Sequence, residues 1–473
     1  MPTVADIIEA LTKTRPATPT PVVTEATVDS RQVIPGALFV ALLGERVDGH
    51  AYVADAFRRG ASVALIQREH SEPITTLDLR AGFDPAAIVG LESPYCILVE
   101  NSLAALQQIA RFWRSKLDLR VVGITGSVGK STTKELIAEV LGQRYRTLKN
   151  PGNLNNEIGL PLTILQLGPG YERAVLEMGF YIPGEITFLC EIARPQIGVV
   201  TNIGTVHAER AGSQEAIVRG KTELVQALPA APEGVAILNY DNLLVRPMAE
   251  KTSARPFFYG LTPEADLWAD QVESRGLDGI HFRLHYCKET IDVRMPMIGQ
   301  HSVLTALRGA AVGIVDGLNW QEITNGLQSG YTQLRLVAMR SQSGALLIDD
   351  TYNASPESTL AALGLLAELD GRKVAVLGDM LELGPYERQG HEMVGVRAAQ
   401  VTERLVTVGE RGQMIAAAAR RAGLKSNKIV ECEGTEPAIE WLRNHLTKKD
   451  VVLIKGSHGV RMDRIVAALE AQA

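Results

Sequence analysis

A glycine-rich loop that ends in a lysine and a serine is the part of this sequence best suited to chemistry. The loop runs from Gly123 to Thr132 as GITGSVGKST, after the apolar run VVGIT and before a stretch with helical spacing. In a strand–loop–helix unit of this kind, successive backbone N–H groups and the helix N-terminus bind phosphate oxygens. The order G-x-x-G-x-x-G-K-S differs from the general phosphate-loop pattern, because Ile124 stands where the first glycine belongs.

Lys130 and Ser131 give this loop two functional groups. We expect Lys130 to reach the β- and γ-phosphates of a nucleotide and the Ser131 hydroxyl to ligate Mg²⁺. The other candidate cofactor-binding residues in the loop are Gly126, Ser127, Gly129 and Thr132. The alternative is a tight strand–helix turn with an exposed lysine. The strand before the loop and the helix after it favour nucleotide binding.

Glu177 and His207 each follow an apolar run typical of a buried strand, in AVLEMG and IGVVTNIGTVH. Ligands gather at the carboxyl ends of the strands in a doubly wound sheet. A carboxylate there suits Mg²⁺, which prefers oxygen ligands. Each residue also has a non-functional interpretation when it is taken alone. A glutamate at the end of a strand is as often a surface residue, and a lone histidine is more often structural than catalytic. Lys221 in VRGKTEL is interpreted as a helix-surface lysine. The loop NPGNLNNEIGLP is interpreted as a turn whose asparagines also offer amide donors.

Alternating apolar strands and helical stretches must position these residues. The alternation runs from VVGIT to VAILNYD and again from ALLIDD to VVLIKG, as in parallel sheets covered on both faces. An antiparallel patch is predicted at LWADQVES, GIHFRLHY and IDVRMPM, and a surface loop over residues 71–94. The length favours three domains. We therefore expect an α/β fold with domains at 1–100, 101–334 (P-loop ATPase, parallel sheet) and 335–473 (Rossmann-like).

Composition and charge narrow the class of protein. The chain has 473 residues, 46% of them hydrophobic and 22% charged, with a net charge of -6. A nucleic-acid binder usually carries a basic surplus, so we expect no nucleic-acid partner. No apolar run approaches the roughly 18 residues of a membrane span, and MPTVADIIEALTK predicts an amphipathic helix, not a signal peptide. The four widely spaced cysteines are expected to be small buried thiols in a cytoplasmic protein.

Eight strings of this sequence resemble, in chain order, the motifs of the Mur ligases. The resemblance covers nearly the whole chain and rests on GITGSVGKSTTKE, NLNNEIGLP, LEMG, TNIGTVHAE, RGKTEL, IDDTYNASPES, LGDMLELG and KGS. DSRQVIPGALFVALLGERVDGH is similar to the family's UDP-substrate domain. LGDMLELG and NLNNEIGLPLTIL are most similar to the members that add D-alanyl-D-alanine to UDP-N-acetylmuramoyl-tripeptide. The DNPR-type string of the members that add the third amino acid is absent.

The resemblance implies an ATP-dependent ligase of peptidoglycan precursor synthesis, with ATP and Mg²⁺ as cofactors. The tripeptide carboxylate would become an acyl phosphate, which the amine of D-alanyl-D-alanine would attack. The implied domains are one for UDP-muramyl-peptide recognition, a central ATPase and a Rossmann-like C-terminal domain. The expected partners are these small-molecule substrates, and the expected state is a monomer.

The resemblance also implies roles for individual residues. The implied catalytic residues are Lys130, His207 and Lys221. The implied Mg²⁺ ligands are Ser131, Glu177, His207 and Lys221, the last as a carbamylated lysine. ATP contacts from the domain junction are implied for Arg335 and Asp350. Contacts to the UDP-sugar are implied for Asp29, Ser30 and Arg31, and a place in the substrate cleft for Tyr352, Asn353 and Lys455.

Two departures from the family pattern and several alternatives stay open. The family string H-N-x-x-N is His301-Ser302-Val303-Leu304-Thr305 here, so nucleotide contacts at Ser302 and Thr305 are open. His458 stands where arginine is common. The alternative functions are another Mur ligase, a folylpolyglutamate- or cyanophycin-synthetase relative, and a P-loop regulatory ATPase. The sequence leaves open whether the third residue of the tripeptide is diaminopimelate or lysine.

Overall fold

The computed structural model describes residues 1–44, 47–69, 73–80, 82–88, 91–204, 208–329 and 337–471. The α-helices in this part of the chain are α1 Val4–Thr12, α2 Val53–Arg58, α3 Ser102–Ser115, α4 Lys130–Gly142, α5 Gly159–Gln166, α6 Glu185–Ala193, α7 Ala208–Ala211, α8 Gln214–Gln226, α9 Ser302–Val315, α10 Trp320–Ser329, α11 Pro356–Glu368, α12 Glu387–Val401, α13 Gly412–Arg421, α14 Thr435–His445 and α15 Asp463–Leu469. The strands are β1 Ala26–Thr27, β2 Leu38–Val40, β3 Val63–Ile66, β4 Thr76–Asp78, β5 Tyr95–Leu98, β6 Arg120–Thr125, β7 Thr147–Lys149, β8 Arg173–Glu177, β9 Ile197–Val200, β10 Val235–Asn239, β11 Arg255–Gly260, β12 Leu267–Ser274, β13 Ile280–Tyr286, β14 Glu289–Met295, β15 Val337–Arg340, β16 Leu346–Asp350, β17 Arg372–Gly378, β18 Arg404–Val408, β19 Ile429–Cys432 and β20 Asp450–Lys455.

The first sheet has five parallel strands in the order β1-β2-β3-β5-β4. Strand β4 lies inside the segment 71–94, so the prediction of a surface loop there is wrong at Thr76–Asp78. Only Leu77 of this strand is buried. Three residues with one apolar side chain give no periodic signal, and the pairing with β5 is what makes them a strand.

The second sheet has nine strands and mixes parallel with antiparallel pairing. Strands β7 and β8 pair in parallel, as do β10, β11 and β12 in turn. Strands β12, β13 and β14 pair antiparallel, which confirms the predicted antiparallel patch. All five residues of β10 are buried, whereas buried residues alternate with more exposed ones along β13. This difference is typical of sheets covered on both faces and on one face, respectively.

The third sheet confirms the predicted doubly wound arrangement near the C-terminus. Its order is β15-β16-β20-β17-β18-β19, and every pair is parallel except β15 with β16. Along β17, Ala375 and Leu377 pack with α11, α12 and α13, while Val374 and Val376 pack with α14 and α15. Successive strand residues point to opposite faces, so the continuous apolar run serves two helical layers at once.

The contacts within the chain define two compact units. One comprises residues 1–123, 145–179 and 185–197, and the other comprises 124–144, 180–184 and 198–473. The phosphate loop belongs to the second unit and Glu177 to the first. No described helix is long and apolar enough to cross a membrane.

The prediction of an N-terminal helix is confirmed, whereas the prediction of four buried cysteines is only partly right. The N-terminal helix is confirmed as α1, and it begins with a capping box in which Thr3 Oγ1 accepts from Asp6 N and the Asp6 carboxylate accepts from Thr3 N. Cys96, Cys190 and Cys432 are buried free thiols, but Cys287 is exposed. The prediction is wrong for Cys287 because it lies at the turn between β13 and β14, with a φ of 52°.

Candidate active site

Two glycines shape the phosphate loop between β6 and α4. A Cβ atom on Gly126 would lie 1.8 Å from Thr201 Oγ1, so no larger residue fits at this position. Gly129 caps α4 with a φ of 82°, in the left-handed region that favours glycine. Ile124, the departure from the general pattern, is a fully buried residue of β6. The turn therefore begins after Ile124, and a glycine is not needed there.

The segment after β9 holds the loop in place. The N–H groups of Ser127 and Val128 donate to the Asn202 backbone oxygen and to Asn202 Oδ1, both over 2.9 Å. Thr201 Oγ1 donates to the Val128 carbonyl over 2.7 Å, and Gly204 N donates to Ser127 Oγ over 2.9 Å. Thr201 and Asn202 were not predicted as functional residues, because their signal in the sequence is only their position directly after an apolar strand.

The first turn of α4 remains as the anion-binding part of the loop. Lys130, Ser131 and Thr132 are its first three residues, and N–H groups at this end of a helix have no intrahelical acceptor. Together with the helix dipole they favour a negatively charged ligand. Lys130 is half-buried and its Nζ donates to the Gly126 carbonyl over 2.9 Å.

Lys221 is a fully buried lysine in contact with the same loop. It lies on α8, and its Nζ donates to the Gly126 carbonyl over 3.0 Å. The same nitrogen lies 4.8 Å from the centroid of the Phe180 ring. The interpretation of Lys221 as a surface lysine is therefore wrong, because α8 turns this residue inward.

The environment of Lys221 favours a neutral amine. Burial lowers its pKa well below the usual value for a lysine, and the positive charge of Lys130 lowers it further. A neutral lysine amine is a nucleophile, whereas an ammonium is not.

Glu177 is a buried carboxylate held by asparagines of the loop that precedes α5. It ends β8, and its Oε1 accepts from Asn155 Nδ2 over 2.8 Å. Asn150 Oδ1 accepts from the Glu177 backbone N–H over 2.9 Å, and Asn150 Nδ2 donates to the Leu154 carbonyl over 2.8 Å. This asparagine-rich loop therefore does more than turn the chain: it positions Glu177.

Three of the predicted C-terminal residues meet at one edge of the third sheet. Asp350 and Lys455 are paired in register at the ends of β16 and β20. Lys455 is buried, and its Nζ donates to Asp350 Oδ2 over 2.6 Å and to the Asn353 carbonyl over 2.8 Å. Tyr352 is exposed, and its ring lies 6.4 Å from that of His458 in an edge-on arrangement. These side chains lie at the carboxyl edge, where ligands of doubly wound sheets bind.

Asp29, Ser30 and Arg31 line a cavity of about 710 Å³ in the first unit. Asp29 accepts from Arg31 Nε and Nη2 over 2.9 Å and 2.8 Å, and this pairing lowers the pKa of Asp29. Ser30 is buried, whereas Arg31 is exposed. Apolar side chains such as Phe39 and Leu42 form much of the wall. A largely apolar cavity with a few polar groups is typical of small-molecule sites.

His207 and Arg335 lie outside the described residues. Among the residues that are described, no three His, Cys, Asp or Glu side chains form a cluster suited to a metal ion. The Mg²⁺ ligands stay predictions at all four positions: Ser131, Glu177, His207 and Lys221.

The phosphate loop on the mixed second sheet and the doubly wound third sheet accompany matches to one family over most of the sequence: the chain belongs to the Mur ligases. Profiles described as the Mur ligase middle domain, the glutamate ligase domain and the Mur ligase family catalytic domain match residues 124–313, 334–458 and 22–114, respectively.

Two relatives that match nearly the whole chain have the same name. The UDP-N-acetylmuramoyl-tripeptide–D-alanyl-D-alanine ligase of Bacillus subtilis is 35% identical over 445 residues, covering 93% of this chain and 92% of the relative. The enzyme of the same name from Escherichia coli is 32% identical over 451 residues, covering 94% and 93%. Among solved structures, MurF from Acinetobacter baumannii matches with a TM-score of 0.83 at 29% identity, covering 98% of this chain and 97% of that one. MurF ligase from Thermotoga maritima in complex with ADP matches with a TM-score of 0.76 at 29% identity, covering 94% and 96%.

Proposed function

We propose that this chain is an ATP-dependent ligase that joins D-alanyl-D-alanine to UDP-N-acetylmuramoyl-tripeptide in the cytoplasm, as a step of peptidoglycan precursor synthesis. The observation that carries the proposal is the end-to-end similarity, at 35% identity over 93% of the chain, to a ligase of that name. The phosphate loop supports the ATP-dependent half of the reaction. We further propose that the chain acts as a monomer with domains at 1–100, 101–334 and 335–473.

ATP would bind at the N-terminus of α4, with its phosphates against the turn from Gly126 to Thr132. Phosphoryl transfer requires in-line positioning and neutralisation of charge more than covalent help from the protein. Lys130 supplies a positive charge within the loop. The tripeptide carboxylate would attack the γ-phosphorus, giving an acyl phosphate and ADP. The amine of D-alanyl-D-alanine would then displace phosphate and form the amide, and His207 is proposed to assist this step.

The donor atoms of the predicted ligands fit Mg²⁺. Ser131 offers a hydroxyl next to Lys130, and Glu177 offers a buried carboxylate oriented by Asn155. Mg²⁺ in phosphate-transfer sites is typically held by one or two carboxylates together with substrate phosphates. When bound, the ion neutralises charge that develops on the phosphate oxygens.

Lys221 would contribute as a carbamate. Its neutral amine would add to CO₂, forming an N–C bond and releasing one proton, and the product would carry one negative charge shared by two oxygens. The buried position and lowered pKa of Lys221 support this reaction, because they increase the fraction of neutral amine. The resulting oxygens are the ligand type that Mg²⁺ prefers.

The substrates are proposed to use the other two sites. The cavity lined by Asp29, Ser30 and Arg31 would hold the UDP-sugar. The Arg31 guanidinium and the turn at Ser30 would be its polar contacts. Tyr352, Asn353 and Lys455 would line the cleft toward the substrates, and Asp350 and Arg335 would face ATP. Closure of the C-terminal domain would exclude water, which otherwise hydrolyses the acyl phosphate.

Mass spectrometry of the reaction products tests the proposal. ATP, D-alanyl-D-alanine and UDP-muramyl-tripeptides with diaminopimelate or lysine are supplied in separate reactions. We expect a UDP-muramyl-pentapeptide from at least one tripeptide, with ADP and phosphate formed in equal amounts. A regulatory ATPase would instead release phosphate without the amine substrate. Phosphate release with no amide product from either tripeptide would contradict the proposed function.

A further inference from the structure

Arg308 is a buried arginine that reaches the phosphate loop from helix α9. Only 4% of its surface is exposed, and its Nη1 donates to Thr133 Oγ1 in α4 over 2.6 Å. The same nitrogen lies 3.3 Å from where a Cβ atom on Gly129 would be. The guanidinium therefore lies beside both the last glycine of the loop and the first turn of its helix.

In the described part of the chain, no carboxylate oxygen lies within 4.0 Å of the Arg308 guanidinium nitrogens. Its hydrogen-bond partners there are three hydroxyl groups, of Thr133, Tyr259 and Thr305. Burial of a charge is costly unless an opposite charge compensates it. A buried cation beside a phosphate-binding turn indicates that a negatively charged ligand belongs there.

The guanidinium also has unused donors. Nε donates to Tyr259 and Nη1 to the two threonines, whereas Nη2 has no hydrogen-bond partner among the described residues. Arg114 is a useful contrast, because it is also 4% exposed. Its Nε, Nη1 and Nη2 donate to the carbonyls of Ala193, Leu117 and Leu119. Arg114 is thus satisfied by the fold itself, and Arg308 is not.

Tyr259 holds the Arg308 side chain in place. Its hydroxyl accepts from Arg308 Nε over 2.9 Å and donates to the Thr201 carbonyl over 3.0 Å. Burial raises the pKa of Tyr259, so the phenol stays protonated and can serve both partners. Thr201 in turn donates to Val128 of the loop. The arginine is therefore preorganised on the framework that positions the phosphate loop.

We infer that Arg308 is an additional nucleotide-binding residue, whose Nη2 donates to a phosphate oxygen of the nucleotide bound at the phosphate loop. The inference rests on the ATP-binding part of the proposed function. It also bears on the HSVLT segment, one turn earlier on α9. Thr305 Oγ1 lies 3.5 Å from Arg308 Nη1, while Ser302 Oγ donates to the Ile298 carbonyl. The threonine thus supports the arginine, and a charge from α9 faces the nucleotide phosphates.

Isothermal calorimetry with Mg-ADP on the full chain tests the inference. We expect Arg308→Met to weaken ADP binding at least ~10-fold and Arg308→Lys, which keeps the charge, to weaken it no more than ~3-fold. Arg114→Met is the matched control: it should lower the melting temperature and leave ADP affinity unchanged. ADP binding by folded Arg308→Met within ~2-fold of wild type overturns the inference, as does an equal loss in both Arg308 variants.

A crystal structure of the wild-type chain with Mg-ADP keeps the inference testable if Arg308→Met does not fold. Arg308 Nη2 should lie ~2.7–2.9 Å from a phosphate oxygen, the distance of a charge-assisted hydrogen bond. A nearest phosphate oxygen beyond ~4 Å overturns it. Neither experiment depends on amide formation. If the chain did not form the amide product, these two experiments would still decide whether Arg308 binds the nucleotide.

Discussion

Lys130 and Lys221 both donate a hydrogen bond to the carbonyl oxygen of Gly126, over 2.9 Å and 3.0 Å. One backbone oxygen thus brings together a lysine from the phosphate loop and a lysine from α8. The arrangement disfavours a positive charge on both lysines. Burial is the main reason that the pKa of Lys221 is lowered, and the positive charge of Lys130 is the second reason. The same contact therefore brings together the lysine proposed to bind phosphate and the lysine proposed to react as a neutral amine.

Replacement of the loop lysine should abolish turnover and leave the fold intact. Lys130 is half-buried, and its Nζ donates to the carbonyls of Gly126 and Ser127 in its own loop, so Lys130→Ala removes charge but little packing. We expect ATP-dependent amide formation to fall far more than ~10-fold, which corresponds to ~1.4 kcal/mol of barrier. Product formation and circular dichroism are measured together, with Lys251→Ala, at an exposed lysine, as control. More than about a tenth of wild-type activity would show that the loop lysine is not required.

The carbamate proposal predicts chemical rescue at Lys221. Lys221→Ala should be inactive, because it removes the amine that binds CO₂. Acetate should restore part of the turnover by supplying carboxylate oxygens in the space left by the side chain. Wild-type activity should fall when CO₂ and bicarbonate are stripped and return when they are added. Chloride at the same ionic strength is the control, and near-normal activity of Lys221→Ala in CO₂-free buffer would contradict the proposal.

Glu177→Gln tests the predicted Mg²⁺ site. The amide keeps the size of the side chain and an oxygen that can accept from Asn155, but it removes the negative charge that attracts the cation. We expect the Mg²⁺ concentration for half-maximal activity to rise at least ~10-fold. Glu191→Gln, at an exposed glutamate paired with Arg111, serves as control and should not change it. An unchanged Mg²⁺ requirement in Glu177→Gln would remove this residue from the ligand set.

The buried ring of His391 should make the folded protein less stable as pH falls. It is fully buried, its Nε2 accepts from Met380 N over 3.1 Å, and its Nδ1 lies 2.7 Å from the Glu387 carbonyl, so the fold requires the neutral ring. Burial is the main reason that its pKa is lowered. Below the unfolded pKa of ~6.5, the unfolded chain therefore binds a proton that the folded chain does not, and stability falls as pH falls toward the folded pKa.

Melting temperatures between pH ~7 and ~5.5 check this dependence. His391→Gln keeps an acceptor for the Met380 N–H and cannot bind the proton, so its melting temperature should change less over this range than that of the wild type. His445→Gln, at an exposed histidine, is the matched control and should behave like the wild type. Equal pH dependence in wild type and His391→Gln would show that His391 does not titrate on unfolding.

The sequence by itself determined the features that depend on residues close together in the chain. The loop GITGSVGKST lies between a strand and a helix as predicted, because its glycines and the flanking apolar runs specify a local turn. The antiparallel patch follows from a strand that alternates buried with more exposed residues, and the doubly wound C-terminal sheet follows from apolar runs that alternate with helical stretches. Strand β4 and the exposure of Cys287 were not predicted from the sequence. A three-residue strand is defined by the strand that it pairs with, and the exposure of a thiol at a turn is decided by the hairpin around it.

Only the tertiary structure decided which distant residues meet the loop. Lys221 is 95 residues from Gly126 in sequence, and Arg308 is 175 residues from Thr133. Taken alone, the spacing around Lys221 suggested a solvent-facing lysine, and nothing in the sequence singled out Arg308. Burial and charge balance arise from packing between elements far apart in the chain. A local pattern can place a lysine or an arginine on a helix, but the packing of that helix against its neighbours decides whether the charge meets solvent, a carboxylate or a phosphate loop.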